Sequence, residues 1–180
     1  MTPLSLIRPL TLTLSRKRER GLLAAALLAS CAHTPRLSPE DVRGLLALPV
    51  VGPVAFDPSG TGGKVVLIDF FATWCFPCLE DMPNLEELHK RYNERGLEVL
   101  AVGMDREGAM VLEPFANHYQ FRFPVLVAND PIRDGTSPFG PIRVLPSTVL
   151  IGRDGRIIAA YSGIADPQQL RQLVERALSD

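Results

Sequence analysis

The stretch "KVVLIDFF" (Lys64 to Phe71) limits the possible folds more than any other part of the chain. Apolar residues run through it almost without a break, and three are β-branched, so a strand here must be covered on both faces. Such a strand lies inside a sheet with layers on either side, and a chain of 180 residues can supply them. One residue breaks the pattern. Asp69, if charged and unpaired in that setting, would cost several kcal/mol, so its pKa is expected to rise.

The remaining elements follow from periodicity and punctuation. A helix is expected from about Phe76 to Arg95, stopped by Gly96. Met82, Leu85, Leu88 and Tyr92 mark its apolar side, Glu86, Glu87, Lys90 and Glu94 the other, and Pro83 is expected to kink it. "LEVLAVGM" reads as a second buried strand. A shorter helix within 107–120 follows, with Pro114 as an alternative start, and "RFPVLVA" reads as another strand. "NDPIRDGTSPFGPIR" is loop with about one helical turn. "PSTVLIGRDGRIIAAYSG" is a hairpin around Asp154-Gly155, a pair suited to positive φ. The last helix opens with Asp166 as cap, Pro167 at the first position and Gln169 three after the cap. Leu170, Leu173, Val174, Ala177 and Leu178 form its buried stripe.

Ahead of these elements, "VVGPVAFDPSGTGGK" is turn-rich. Its "GGK" is no phosphate loop, because the first glycine is missing and Val65 stands where Ser or Thr is needed. The order of strands and helices requires an α/β domain over roughly 48–180, built on a mixed sheet with parallel crossovers.

The first thirty residues have a different character. They hold five Lys/Arg and one Glu, which leaves 14 basic against 19 acidic residues in the rest of the chain. A mildly acidic remainder offers no electrostatic footprint for nucleic acid. "SRKRER" followed by "GLLAAALLAS" reads as the basic and apolar parts of an export signal over 1–30. Ten helical residues at ~1.5 Å each reach about half of a ~30 Å hydrocarbon core, so this is not a lasting membrane span. Leu28-Ala29-Ser30-Cys31 resembles the bacterial lipoprotein box, which implies that Cys31 is lipidated and becomes the new N-terminus. A tether over 31–47 would follow, with a short helix capped by Ser38. Ala32 after the cysteine resembles the sorting signal for an outer membrane.

"FFATWCFPCLEDMP" raises the chemical question: Cys75 and Cys78 are a metal site, a structural disulfide or a redox couple. Zinc needs about four ligands, and the pair supplies two. Cys31 is assigned to lipid, His33 lies in the tether, and His89 and His118 stand isolated on amphipathic helices, read as solvated. No metal or other cofactor is therefore expected. A permanent disulfide closing so small a loop would stabilise little. Redox chemistry is what the placement supports. At the start of a helix, free N–H groups and the positive end of the dipole stabilise a thiolate on the first cysteine. Cys75 then reads as the exposed nucleophile and Cys78 as the buried resolving thiol, with Pro77 tolerated in the first turn.

"DFFATWCFPC" resembles the thioredoxin superfamily signature. Together with "TWCFPCLEDMP", "AVGMDREG", "FRFPVL" and "GPIRVLPSTVLIGRDGRI", the pattern over roughly 50–178 is similar to TlpA/ResA-like exported thiol–disulfide oxidoreductases. The resemblance implies a thioredoxin-like fold, a central mixed β-sheet flanked by helices on both faces. It places Pro146 at the family's cis-proline and Trp74 beside the nucleophile. Asp69 matches the buried acid of thioredoxin itself, where that branch often has Asn, and suits a proton shuttle for Cys78. Asp81 falls where the branch commonly carries a Glu, with a shorter reach.

Phe76-Pro77 between the cysteines adds neither a donor nor a positive charge, and Asp69 opposes a thiolate. A couple nearer ~−270 mV than ~−120 mV is expected, so the chain should donate electrons. Its partners would be exported protein disulfides, an apocytochrome c among the possible clients, and a membrane-embedded electron donor that re-reduces the pair. The lipid would hold it to the periplasmic face of a bacterial membrane. A copper-binding chaperone and a non-catalytic interaction lipoprotein are the alternatives.

Overall fold

One mixed sheet organises the computed structural model, which describes residues 44–45 and 47–180. The expected signal segment, Cys31 and the Ser38 cap lie outside the described residues; of the short helix that Ser38 would cap, Gly44 and Leu45 are described, and both are helical. The strands are β1 (Val50–Val51), β2 (Val65–Phe71), β3 (Leu97–Gly103), β4 (Val125–Val127), β5 (Ser147–Ile151) and β6 (Ile157–Ser162), in the order β1-β4-β3-β2-β5-β6. β2 runs parallel to β3 and antiparallel to β5, so the apolar run is central, as its composition demands.

Alternation along β2 separates two cores. Val65, Leu67 and Phe71 join one cluster with Met82, Leu85 and Tyr92 of α1 (Phe76–Tyr92), Leu112 and Ala116 of α2 (Ala109–Tyr119), and Leu170 and Val174 of α4 (Pro167–Ser179). Val66, Ile68 and Phe70 join the other, covered by Ile132 of the four-residue α3 (Asp130–Arg133), by Phe139 and Ile142 from loops, and by Leu45 and Leu48. Helical residues thus lie over both faces, but unequally. Each fully buried leucine, such as Leu85 or Leu112, contributes roughly 1.5–3 kcal/mol.

Local chemistry sets the ends of these elements. α1 passes into a 3-10 turn over Asn93–Arg95 before Gly96, and Pro83 lies inside the helix without ending it. α2 starts at Ala109, so Pro114 is internal rather than a fresh start. Asp166 caps α4 by accepting from the Gln169 N–H at 2.8 Å, and Asn129 caps α3 in the same way from Ile132. Three expectations need correction. Val50–Val51 pairs with β4 and is not merely turn. β4 has three residues rather than seven, since Pro124 just before it has no N–H for a ladder. The hairpin loop takes five residues, Gly152 to Arg156, and of the expected pair only Gly155 has positive φ.

Candidate active site

The chain leaves the buried end of β2, makes a short turn through Ala72–Trp74 and enters α1, with Cys75 at its cap. That turn is held from outside. The Asp105 carboxylate, 2% exposed just beyond β3, accepts from the Thr73 N–H at 3.0 and 3.2 Å and from the Thr73 hydroxyl at 2.6 Å. Sequence reasoning missed this residue. "AVGMDREG" contains it, but the signal is a tertiary contact across 32 positions, which no local pattern shows. Asp105→Ala would leave two Thr73 donors without partners, each worth about 1–3 kcal/mol when stranded. A fall in Tm of several degrees, measured by calorimetry, is the expected outcome; an unchanged Tm would mean that the turn holds itself.

Cys75 and Cys78 form a disulfide, with Cα atoms 5.3 Å apart. The Cys78 N–H donates to the Cys75 Sγ at 3.3 Å, so a backbone donor at the helix start is aimed at the first sulfur. Cys75 is 5% exposed and Cys78 is sealed. The first sulfur is therefore the accessible one, though less open than its expected role suggested. It borders a groove lined by Trp74, Phe76, Pro77, Met104, Ile142 and Leu145. Trp74 and Phe76 stand out into solvent on either side of Cys75. The Leu145–Pro146 peptide is cis, and its loop brings Leu145 to the same groove as Cys75.

Asp69 is buried on β2, on the face that Leu67 and Phe71 turn toward α1. Its Oδ1 accepts from the Thr148 hydroxyl at 3.1 Å, from the residue directly opposite on β5, while its Oδ2 has no partner among the described residues. Burial lifts its pKa well above the ordinary 3.8; the Thr148 bond pulls it back, and the charge of Asp81 lifts it further. Asp81, one turn after Cys78 on α1, is also buried and accepts from Asn84 at 2.7 Å. His89 differs from expectation: it is half-buried with its ring against Phe123, and burial lowers its pKa.

The AhpC/TSA family model matches residues 54–160, a span that holds the cysteine pair, Asp69 and Pro146. The chain belongs to the AhpC/TSA family. This AhpC/TSA chain is 34% identical over 114 residues to the thiol-disulfide oxidoreductase ResA of Bacillus thuringiensis and to that of Bacillus anthracis. Those matches cover 63% of this chain and 64% of each relative, so it spans less than two thirds of their length. Among solved structures, it is 25% identical to a thiol:disulfide interchange protein of the thioredoxin family from Chlorobium tepidum, with a TM-score of 0.56 over 73% of this chain and 94% of that one. A thiol-disulfide isomerase from Corynebacterium glutamicum shares the fold, with a TM-score of 0.64 at 22% identity, covering 83% and 99%. The fold is thioredoxin-like.

Proposed function

We propose that this AhpC/TSA-family chain is a thiol–disulfide oxidoreductase that reduces disulfides in exported proteins. One observation carries the reading: the accessible sulfur of the pair sits at a helix cap with a backbone N–H aimed at it, beside an open groove. That placement favours a thiolate on Cys75. The names of the ResA relatives support the same chemistry.

In the reduced protein, the Cys75 thiolate attacks one sulfur of a client disulfide. A Cys75–client bond forms, and the other client sulfur leaves as a thiolate that takes a proton from solvent. Cys78 then passes its proton to the Asp69 carboxylate and attacks the Cys75 Sγ, and the second client sulfur leaves as a thiolate that takes a proton from solvent. The client gains two electrons, and the pair ends as the observed disulfide. A dithiol donor in the membrane would return two electrons and two protons. Pro146 beside the groove would position the client strand, with Trp74 and Pro77 shaping access to Cys75.

The basic and apolar N-terminal segments and "LLASC" support export and attachment through lipidated Cys31, with an outer membrane favoured by Ala32. The resemblance to TlpA/ResA-like proteins makes an apocytochrome c awaiting haem a reasonable client. The deciding experiment is a disulfide reductase assay joined to a redox titration of the pair. Turnover with a potential nearer ~−270 mV supports the reading, whereas no turnover, or a potential near ~−120 mV, defeats the reductant role.

A further inference from the structure

The groove beside Cys75 has a volume of about 640 Å³, within the ~300–1,000 Å³ of sites that enclose ligands. A client therefore brings side chains into it and not its sulfurs alone. Large apolar groups stand open around it: Trp74 is 74% exposed, Phe76 68%, and Val144, between two lining residues, 48%. Aromatic residues, Met and Arg are enriched at protein interfaces, where Lys, Asp and Glu are depleted. The groove follows that rule. Among the described residues, its one charged lining residue is Arg143.

Nothing within the fold engages that arginine. Arg91, Arg133 and Arg156 hold ion pairs with Glu87, Asp130 and Asp154. Arg143 is exposed and makes no hydrogen bond or ion pair with any described residue. Ile142 and Leu145 on either side of it pack against the core, whereas Arg143 stays out. No acid in the groove balances its charge. Asp105 follows Met104 of the groove wall, but its carboxylate is sealed and committed to Thr73. The groove thus offers a single unmet charge in apolar surroundings.

We propose that Arg143 selects clients carrying an acidic side chain close to the reacting cysteine. A compact groove of this volume is about 9 Å across, which an extended strand covers in about three residues at ~3.3 Å each. The acid therefore belongs within about three positions of the client cysteine. Beyond its first thirty residues the chain holds 19 acidic residues against 14 basic, so its long-range field does not draw in such clients. The preference arises at contact. With a client seated beside Trp74 and Phe76, little water is left around a guanidinium–carboxylate pair, which strengthens its charge-assisted hydrogen bonds. The apolar surround supplies binding, and Arg143 supplies choice. The sulfur chemistry is untouched, since the pair forms before any bond between sulfurs. This role rests on the reductase reading.

Three peptide disulfides that differ only in carrying Asp, Asn or Lys two and three residues from each cysteine test it. Each kcat/KM is divided by the rate of the same peptide with dithiothreitol, which removes differences in intrinsic reactivity. The wild-type protein is expected to favour Asp over Asn about tenfold, the scale of one charge-assisted hydrogen bond, and Lys least, with the spread narrowing as salt rises. Arg143→Gln should lose that preference, and Arg143→Glu should reverse it in favour of Lys. Calorimetry establishes that both variants are folded. Equal rates for the three peptides in the wild type, or a preference that persists in Arg143→Gln, overturns the selection. Equal slowing of all three by Arg143→Gln overturns it too, and would make the arginine a partner of the Cys75 thiolate instead. A wild-type protein that reduces none of the peptides sinks the reductase reading and this role with it.

Discussion

Cys78→Ser is expected to accumulate client proteins as stable mixed disulfides, whereas Cys75→Ser is expected to lose attack on disulfides altogether. The two sulfurs are three positions apart but stand in different surroundings. The first receives a backbone N–H at 3.3 Å and borders the groove; the second is sealed on the buried side of α1. With the resolving thiol gone, the Cys75–client bond has no internal nucleophile to break it. With Cys75 gone, the remaining thiol cannot reach a client. Non-reducing gels followed by mass spectrometry should find clients on Cys78→Ser alone. Clients trapped on Cys75→Ser instead would reverse the assigned order.

Asp69→Asn should give a slower protein whose stability gains on the wild type as pH rises. Burial holds the Asp69 pKa above its ordinary 3.8. Between that value and the raised one, the folded state binds more protons than the unfolded chain. Stability therefore falls as pH rises through this window, and the full penalty is present above the folded pKa. Asn keeps the shape and an oxygen for the Thr148 hydroxyl, but it cannot ionise. The difference should be near zero below the unfolded pKa and grow upward, which denaturant unfolding at several pH values will show. A flat difference would mean that Asp69 does not titrate differently on folding. Loss of the proton acceptor for Cys78 should slow turnover by about 10²-fold. An unchanged reductase rate from about pH 6 to 9 would make Asp69 a core polar residue and nothing more.

The parts of the fold that could be read in advance are those whose cause is local. β2 is apolar on both faces and is central; Asp166, Pro167 and Gln169 announce α4 within four residues. Cys75 and Cys78 were legible because their chemistry depends on their spacing and on the helix that follows. What could not be read depends on distant partners. Val50–Val51 is a strand only because β4 lies beside it, and Thr73 is clamped only because the end of β3 delivers Asp105 to it. His89 resembles a surface histidine by helical position, yet Phe123, brought over it by the chain before β4, half-buries it. Asp81 was singled out through resemblance alone; that the start of α4 returns beside it and walls a cavity with α1 could not be read from either helix.

Trp74 is the chain's one tryptophan, it is 74% exposed, and it immediately precedes Cys75. A neighbouring disulfide quenches indole emission by accepting an electron from the excited ring, and a dithiol does so far less. The protein thus carries its own optical gauge of oxidation state, without any label. Because the indole is already in water, unfolding changes its surroundings little, so its brightness follows the sulfur chemistry rather than the integrity of the core. A client seated in the groove would cover the ring and shift its emission towards the blue. The same spectrum that counts electrons would then also count docking events.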